Sequence, residues 1–113
     1  MKLVAFAAIG AALLVPSAFA ATPTLNGTVG PGFTITLTKG GARVTKLKGG
    51  SYVIKVADKS NIHNFRLKGP GVSKTTTVPQ KGTFTWNVTL KKGTYTYVCD
   101  PHATIMKGTF TVS

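Results

Sequence analysis

From residue 33 onward apolar and polar positions alternate. Phe33, Ile35 and Leu37 are separated by Thr34 and Thr36, and Phe84, Trp86, Val88 and Leu90 by Thr85, Asn87 and Thr89. A period of two sends successive side chains to opposite faces of a strand, so both runs predict strands with one buried face and one threonine-covered face. Between such runs lie Gly40-Gly41, Gly49-Gly50, Gly69-Pro70-Gly71, Lys81-Gly82 and Lys91-Lys92-Gly93. These turn signals recur at intervals of about ten residues, the spacing of a β-sandwich or barrel. Strands are predicted at 33–38, 42–47, 51–57, 62–68, 72–77, 83–90, 94–99 and 107–112. No window carries a helical period, and the many Thr, Val and Ile side chains suit a pleated surface. The fold class is all-β.

Ahead of this region the pattern changes. Met1-Lys2 gives a positive start, Leu3 to Val15 is an apolar run interrupted only by Gly10, and Pro16-Ser17-Ala18-Phe19-Ala20 closes on an A-x-A pattern. A spanning helix needs about 20 apolar residues, more than this run offers, and no stop-transfer flank follows. Residues 1–20 therefore read as a signal peptide cleaved after Ala20, leaving no transmembrane anchor in a chain exported to a periplasm or secreted. Residues 21–32, with Pro23, Asn26-Gly27 and Gly30-Pro31-Gly32, read as a flexible lead-in. The domain is expected at 33–113.

Composition narrows the possibilities. A chain of 113 residues, with a leader removed, has one core and is expected as a monomeric single domain. It carries 14 Lys+Arg against 2 Asp+Glu, a net charge of +12, of which Lys2 takes one away with the leader. Such an excess favours acidic partners or anionic surfaces and says nothing about fold. Lysine far outnumbers arginine and no nucleic-acid module or row of surface aromatics is present, so nucleic acid is not expected as a partner. One cysteine excludes an internal disulfide, and two histidines are too few for a multinuclear oxidase centre. Asp58 and Asp100 are the only carboxylate side chains, which argues against paired-carboxylate catalysis and against hard-metal sites. Asp58 is read as a turn residue and Asp100 as a local hydrogen-bonding one. The protein is not expected to be an enzyme.

Chemistry concentrates near the C-terminus. Cys99-Asp100-Pro101-His102-Ala103-Thr104-Ile105-Met106 places a thiol, an imidazole and a thioether within one short loop. All three are soft or borderline ligands that suit copper or zinc. Each has a plainer use: buried cysteine and methionine commonly fill cores, and a lone histidine is commonly just hydrogen-bonded. An exported, unpaired thiol needs protection from oxidation, however, and ligation supplies it. A fourth ligand would come from elsewhere, and His63 is the other histidine.

These residues resemble a known family. Asp58-Lys59-Ser60 with His63-Asn64-Phe65, then Gly93-Thr94-Tyr95-Thr96-Tyr97-Val98-Cys99-Asp100-Pro101-His102 and Met106-Lys107-Gly108-Thr109-Phe110, are similar to the small blue-copper proteins of the plastocyanin, pseudoazurin and amicyanin group, the cupredoxins. The likeness runs from about Phe33 to Ser113. It implies a Greek-key β-sandwich of seven to eight strands and a single copper ion cycling between Cu(I) and Cu(II). By that resemblance His63, Cys99 and His102 are the equatorial ligands and Met106 the weak axial one. Asn64 ties the two ligand loops together, and Tyr95 is structural. Three residues separate His102 from Met106, a loop intermediate between the plastocyanin and amicyanin patterns.

The resemblance implies a soluble one-electron carrier. Its electrons would pass through the edge of His102, with Pro101, Ala103 and Ile105 as an apolar collar. Lys91, Lys92 and Lys107 would then steer an acidic redox protein toward that edge. Two other readings use the same residues. One is a copper-buffering or delivery protein without dedicated electron transfer, and the other a metal-free cationic β-sandwich on anionic surfaces.

Overall fold

The computed structural model describes residues 21–113, and the expected signal peptide at 1–20 lies outside the described residues. Among these described residues ten strands form two five-stranded sheets facing each other. In chain order they are β1 (Thr24–Val29), β2 (Ile35–Lys39), β3 (Ala42–Arg43), β4 (Lys46–Leu47), β5 (Gly50–Asp58), β6 (Arg66–Gly69), β7 (Val72–Thr75), β8 (Gly82–Leu90), β9 (Gly93–Val98) and β10 (Lys107–Val112). One sheet runs β3-β2-β1-β5-β8 and the other β4-β10-β9-β6-β7. The all-β sandwich is thus present, with ten strands where seven or eight were expected.

The core follows from the period of two. Tyr52, Ile54 and Val56 of β5 and Leu25 and Val29 of β1 face Leu67, Tyr95, Tyr97, Phe110 and Val112 of the second sheet, and all are buried. Tyr95 stacks on Phe110 with ring centroids 5.2 Å apart, and Tyr97 on Phe65 at 5.7 Å. Both tyrosine rings need a glycine beneath them. A Cβ at Gly69 would enter the Tyr95 ring, and one at Gly108 would enter the ring of its cross-strand partner Tyr97. Among the described residues the buried apolar side chains, from Leu25 to Val112, form one cluster between the two sheets, which gives residues 21–113 a core of their own.

Three strand expectations change. Residues 24–29 are not a flexible lead-in: β1 lies between β2, antiparallel, and β5, parallel, with Leu25 and Val29 fully buried. Its third inward position is Gly27, where a Cβ would stand 3.0 Å from the Phe65 ring. The expected strand 42–47 divides into β3 and β4, which belong to different sheets, with Val44 buried between them. The expected strand 62–68 begins only at Arg66, because 59–65 form a loop held by side chains.

The register gives the sandwich two unlike ends. At one end β5 finishes at Asp58, β9 at Val98, and β10 begins at Lys107, which gathers loops 59–65 and 99–106. At the far end lie the turns between β2 and β3, β4 and β5, β6 and β7, and β8 and β9.

Candidate metal centre

The chain after β9 makes a closed loop. The Cys99 amide donates to the Met106 carbonyl at 3.0 Å, continuing the β9–β10 ladder by one step. Pro101 helps set a single 3₁₀ turn over Asp100–His102, and the amides of Ile105 and Met106 both donate to the His102 carbonyl, at 3.1 and 2.9 Å. Cys99 and Met106 are fully buried, and His102 is half-buried. Closing the loop on itself brings three chemically soft side chains together through the loop's own backbone bonds.

His63 is held by a second device. Asp58 is buried, and its carboxylate accepts from the Ser60 amide and the Thr76 hydroxyl, each at 3.2 Å. The Thr76 hydroxyl in turn accepts from the Phe65 amide at 2.9 Å, while the Ser60 hydroxyl accepts from the Ile62 amide. The Lys59 amide donates to the Val29 carbonyl, which fastens the loop to the end of β1. Burial pushes the Asp58 carboxyl above its ordinary value, while the bonds from Ser60 and Thr76 pull the other way. Gly30, at φ +73, lets the loop close: a Cβ there would stand 2.9 Å from Ser60 Cβ and 3.2 Å from the His63 ring.

The two devices bring three ligand atoms together. His63 Nδ1 lies 3.1 Å from His102 Nδ1, and Cys99 Sγ lies 3.7 and 3.6 Å from them. The far nitrogen of the buried His63 ring, Nε2, has no hydrogen-bond partner, so Nδ1 is this ring's polar contact. Two imidazoles and a thiol aimed at one point form a donor set suited to copper or zinc. Among the described residues this is the cluster able to hold a metal ion. The axial candidate Met106 stands opposite Cys99 in the loop, its amide and carbonyl both committed there.

Asn64 joins the devices. Its side-chain oxygen accepts from the Asp100 amide at 2.7 Å, and its nitrogen donates to Asp100 Oδ2 at 2.9 Å and to Thr75 Oγ1 at 3.2 Å. Asp100 is not a local hydrogen-bonding residue. Its carboxylate also receives Arg66, from Nε at 3.0 and 2.9 Å and from Nη2 at 2.8 Å. Arg66 first, then the Asn64 amide, hold the Asp100 carboxyl below the usual carboxylate range against some loss of solvation. Sequence reasoning missed Arg66, Thr76 and Gly30, because their roles arise from pairings across strands.

The surface above the metal cluster is apolar. Phe33, 56 % exposed, sets its ring edge-on to His63 and His102, with centroids 5.2 and 4.9 Å away. Ile105 at 66 % and Ile62 at 49 % complete the set of large exposed apolar side chains among the described residues, and both belong to the ligand loops. Lys91 and Lys92 do not join them. They occupy the β8–β9 turn, and the six residues of β9, Gly93–Val98, separate that turn from Cys99. At strand rise this is a distance of about 20 Å. Lys107, at the start of β10, remains near the metal end.

The fold and this donor set define a β-sandwich copper protein. Residues 30–113 match the family of copper binding proteins described as the plastocyanin/azurin family, and the chain belongs to it. It is a cupredoxin, and copper is its cofactor. Among solved structures, rusticyanin from Thiobacillus ferrooxidans is similar at 24 % identity with a TM-score of 0.56, covering 84 % of this chain and 79 % of that one. Reduced auracyanin from Roseiflexus castenholzii is similar at 18 % identity and TM-score 0.54, covering 83 % and 99 %. At these identities the likeness is one of fold. Comparison with the curated proteins finds no match. No helix among the described residues is long and apolar enough to cross a membrane.

Proposed function

We propose that the protein is an exported, non-enzymatic one-electron carrier, with His63, Cys99 and His102 as equatorial ligands and Met106 as the axial one. The observation that carries this reading is the meeting of His63 Nδ1, His102 Nδ1 and Cys99 Sγ inside a frame held by hydrogen bonds of its own. Copper bound there supplies one electron's worth of chemistry, Cu(I) to Cu(II). The residues supply rigidity. Asp58, Thr76 and Gly30 fix the His63 loop, the Cys99–Met106 pair closes the other, and Asn64 binds the two together. A donor set held in one arrangement for both oxidation states keeps reorganisation small.

The half-buried edge of His102 is the exit to solvent, and Phe33, Ile62 and Ile105 exclude water around it. A redox protein with an apolar docking face and an acidic rim fits this end, where Lys59 and Lys107 are exposed. The domain is expected to act as a monomer, and export rests on the leader-like residues 1–20.

Stopped-flow mixing with a one-electron reductant, in parallel with a copper chelator, tests the reading. Reduction in milliseconds with copper retained for hours supports a carrier. Sluggish reduction with ready surrender of copper would assign the protein to buffering or delivery.

A further inference from the structure

The carboxylate side chains of this molecule lie at one end, beside Lys59, Arg66 and Lys107, and the far end carries basic side chains without them. Both carboxylate side chains, Asp58 and Asp100, lie at the metal end, where β5 and β9 finish. At the far end Lys39 borders the β2–β3 turn, Lys46 opens β4 and Lys48 follows it, and Lys91 and Lys92 form the β8–β9 turn. All five are exposed, and among the described residues none of them makes an ion pair. The turns belong together in space. The Gly49 amide donates to the Ser113 carbonyl, Lys92 and Lys46 border the same cleft of about 350 Å³ beside Thr111 and Val112, and Lys91 reaches the β6–β7 turn at Gly71.

We infer that this far end binds an anionic lipid surface, with the metal end held outward. The chemistry of the patch favours a bilayer over a protein or nucleic acid. Protein interfaces are built around buried aromatic and apolar anchors and are depleted in lysine. The large exposed apolar side chains, Phe33, Ile62 and Ile105, are all at the opposite end. Single-stranded nucleic acid needs stacking aromatics, which this end lacks, and duplex reading favours the forked arginine over lysine. A diffuse layer of lipid phosphates asks only for mobile point charges, which lysine supplies.

The metal end lies at the opposite ends of β5 and β9 from this patch. Binding in this pose leaves His102 free to exchange electrons. The surface serves the proposed carrier by concentrating it on a membrane without covering its exit.

The test is co-sedimentation of residues 21–113, copper-loaded, with vesicles of phosphatidylcholine containing phosphatidylglycerol. The parent should bind in about 20 mM salt and detach as salt approaches 500 mM, where screening shortens the charge range to a few ångströms. Lys46→Gln/Lys48→Gln/Lys91→Gln/Lys92→Gln should weaken partition by about fivefold per lysine. Lys59→Gln/Lys81→Gln/Lys107→Gln, at or toward the metal end, should change it far less. Should the fourfold variant fail to fold, the Lys46/Lys48 and Lys91/Lys92 doubles carry the same comparison. Cys99→Ser should still bind, which separates this inference from the copper reading. Equal losses in both lysine sets, no binding at low salt, or preference for polyglutamate or DNA over the vesicles would each overturn it.

Discussion

Asn64 bears more of the metal end than any other side chain that is not itself a ligand. It is buried, makes reciprocal bonds with Asp100 across 36 residues, and links the segment after β9 to the one before β6. Asn64→Ala leaves the Asp100 amide without its partner and should cost about 1–3 kcal/mol in denaturant unfolding. Arg66→Met should cost under about 1 kcal/mol, because the Arg66–Asp100 pair is more than a third exposed and screened by solvent. Asp58 provides a pH test. Its carboxyl is raised by burial, so the folded protein holds that proton more tightly than the unfolded chain does. The stability this gives is present below the ordinary value of about 3.9 and is lost as pH rises through the folded value. Asp58→Asn has no such loss. Melts from pH 3 upward should therefore show the parent's advantage over the variant shrinking as pH rises, whereas a constant gap would contradict the assignment.

Among the elements, β1 distinguishes a loose N-terminal segment from a structural one. Deleting residues 21–29 removes a central strand and bares the edges of β2 and β5. The product should aggregate or lose cooperative unfolding, while a merely flexible lead-in would be dispensable. β1 was hidden in the sequence for a physical reason. Its inward positions read Leu25, Gly27, Val29, and the glycine, required by the Phe65 ring, breaks the apolar alternation. Asn26-Gly27 then imitates a turn. β8, whose alternation is uninterrupted, and β10, whose inward glycine stands near its start and leaves Phe110 and Val112 to mark the period, matched their expected spans to within a residue. The 59–65 loop misled in the opposite sense, because Ile62, His63 and Phe65 look like a strand pattern while Asp58, Ser60 and Thr76 hold them off the ladder. The metal cluster was legible because Cys99, His102 and Met106 share one loop. Arg66 was not, since its partner lies 34 residues away.

Across the whole molecule, the separation of charge from chemistry is the main departure from what the sequence suggested. Lys91 and Lys92, expected around His102, stand at the other end of β9. Like charges that crowd one end repel one another, so self-repulsion should weaken the folded state at low ionic strength. Raising salt from about 10 to 150 mM shortens the Debye length from roughly 30 to 8 Å, and the melting temperature should rise with it. A fall would mean that the Arg66–Asp100 pair outweighs this repulsion. For the proposed carrier, electrostatic steering toward His102 would then be left to Lys59 and Lys107, and docking there would rest on Phe33, Ile62 and Ile105.

The central claim is a single copper held by His63, Cys99, His102 and Met106. Its most direct test is an absorption titration of residues 21–113 with Cu(II). The account predicts an intense thiolate-to-copper band that saturates at one copper per chain, bleaches on one-electron reduction and is absent in Cys99→Ser. A colourless protein whose Cys99 still reacts freely with thiol reagents in the presence of Cu(II) would contradict it.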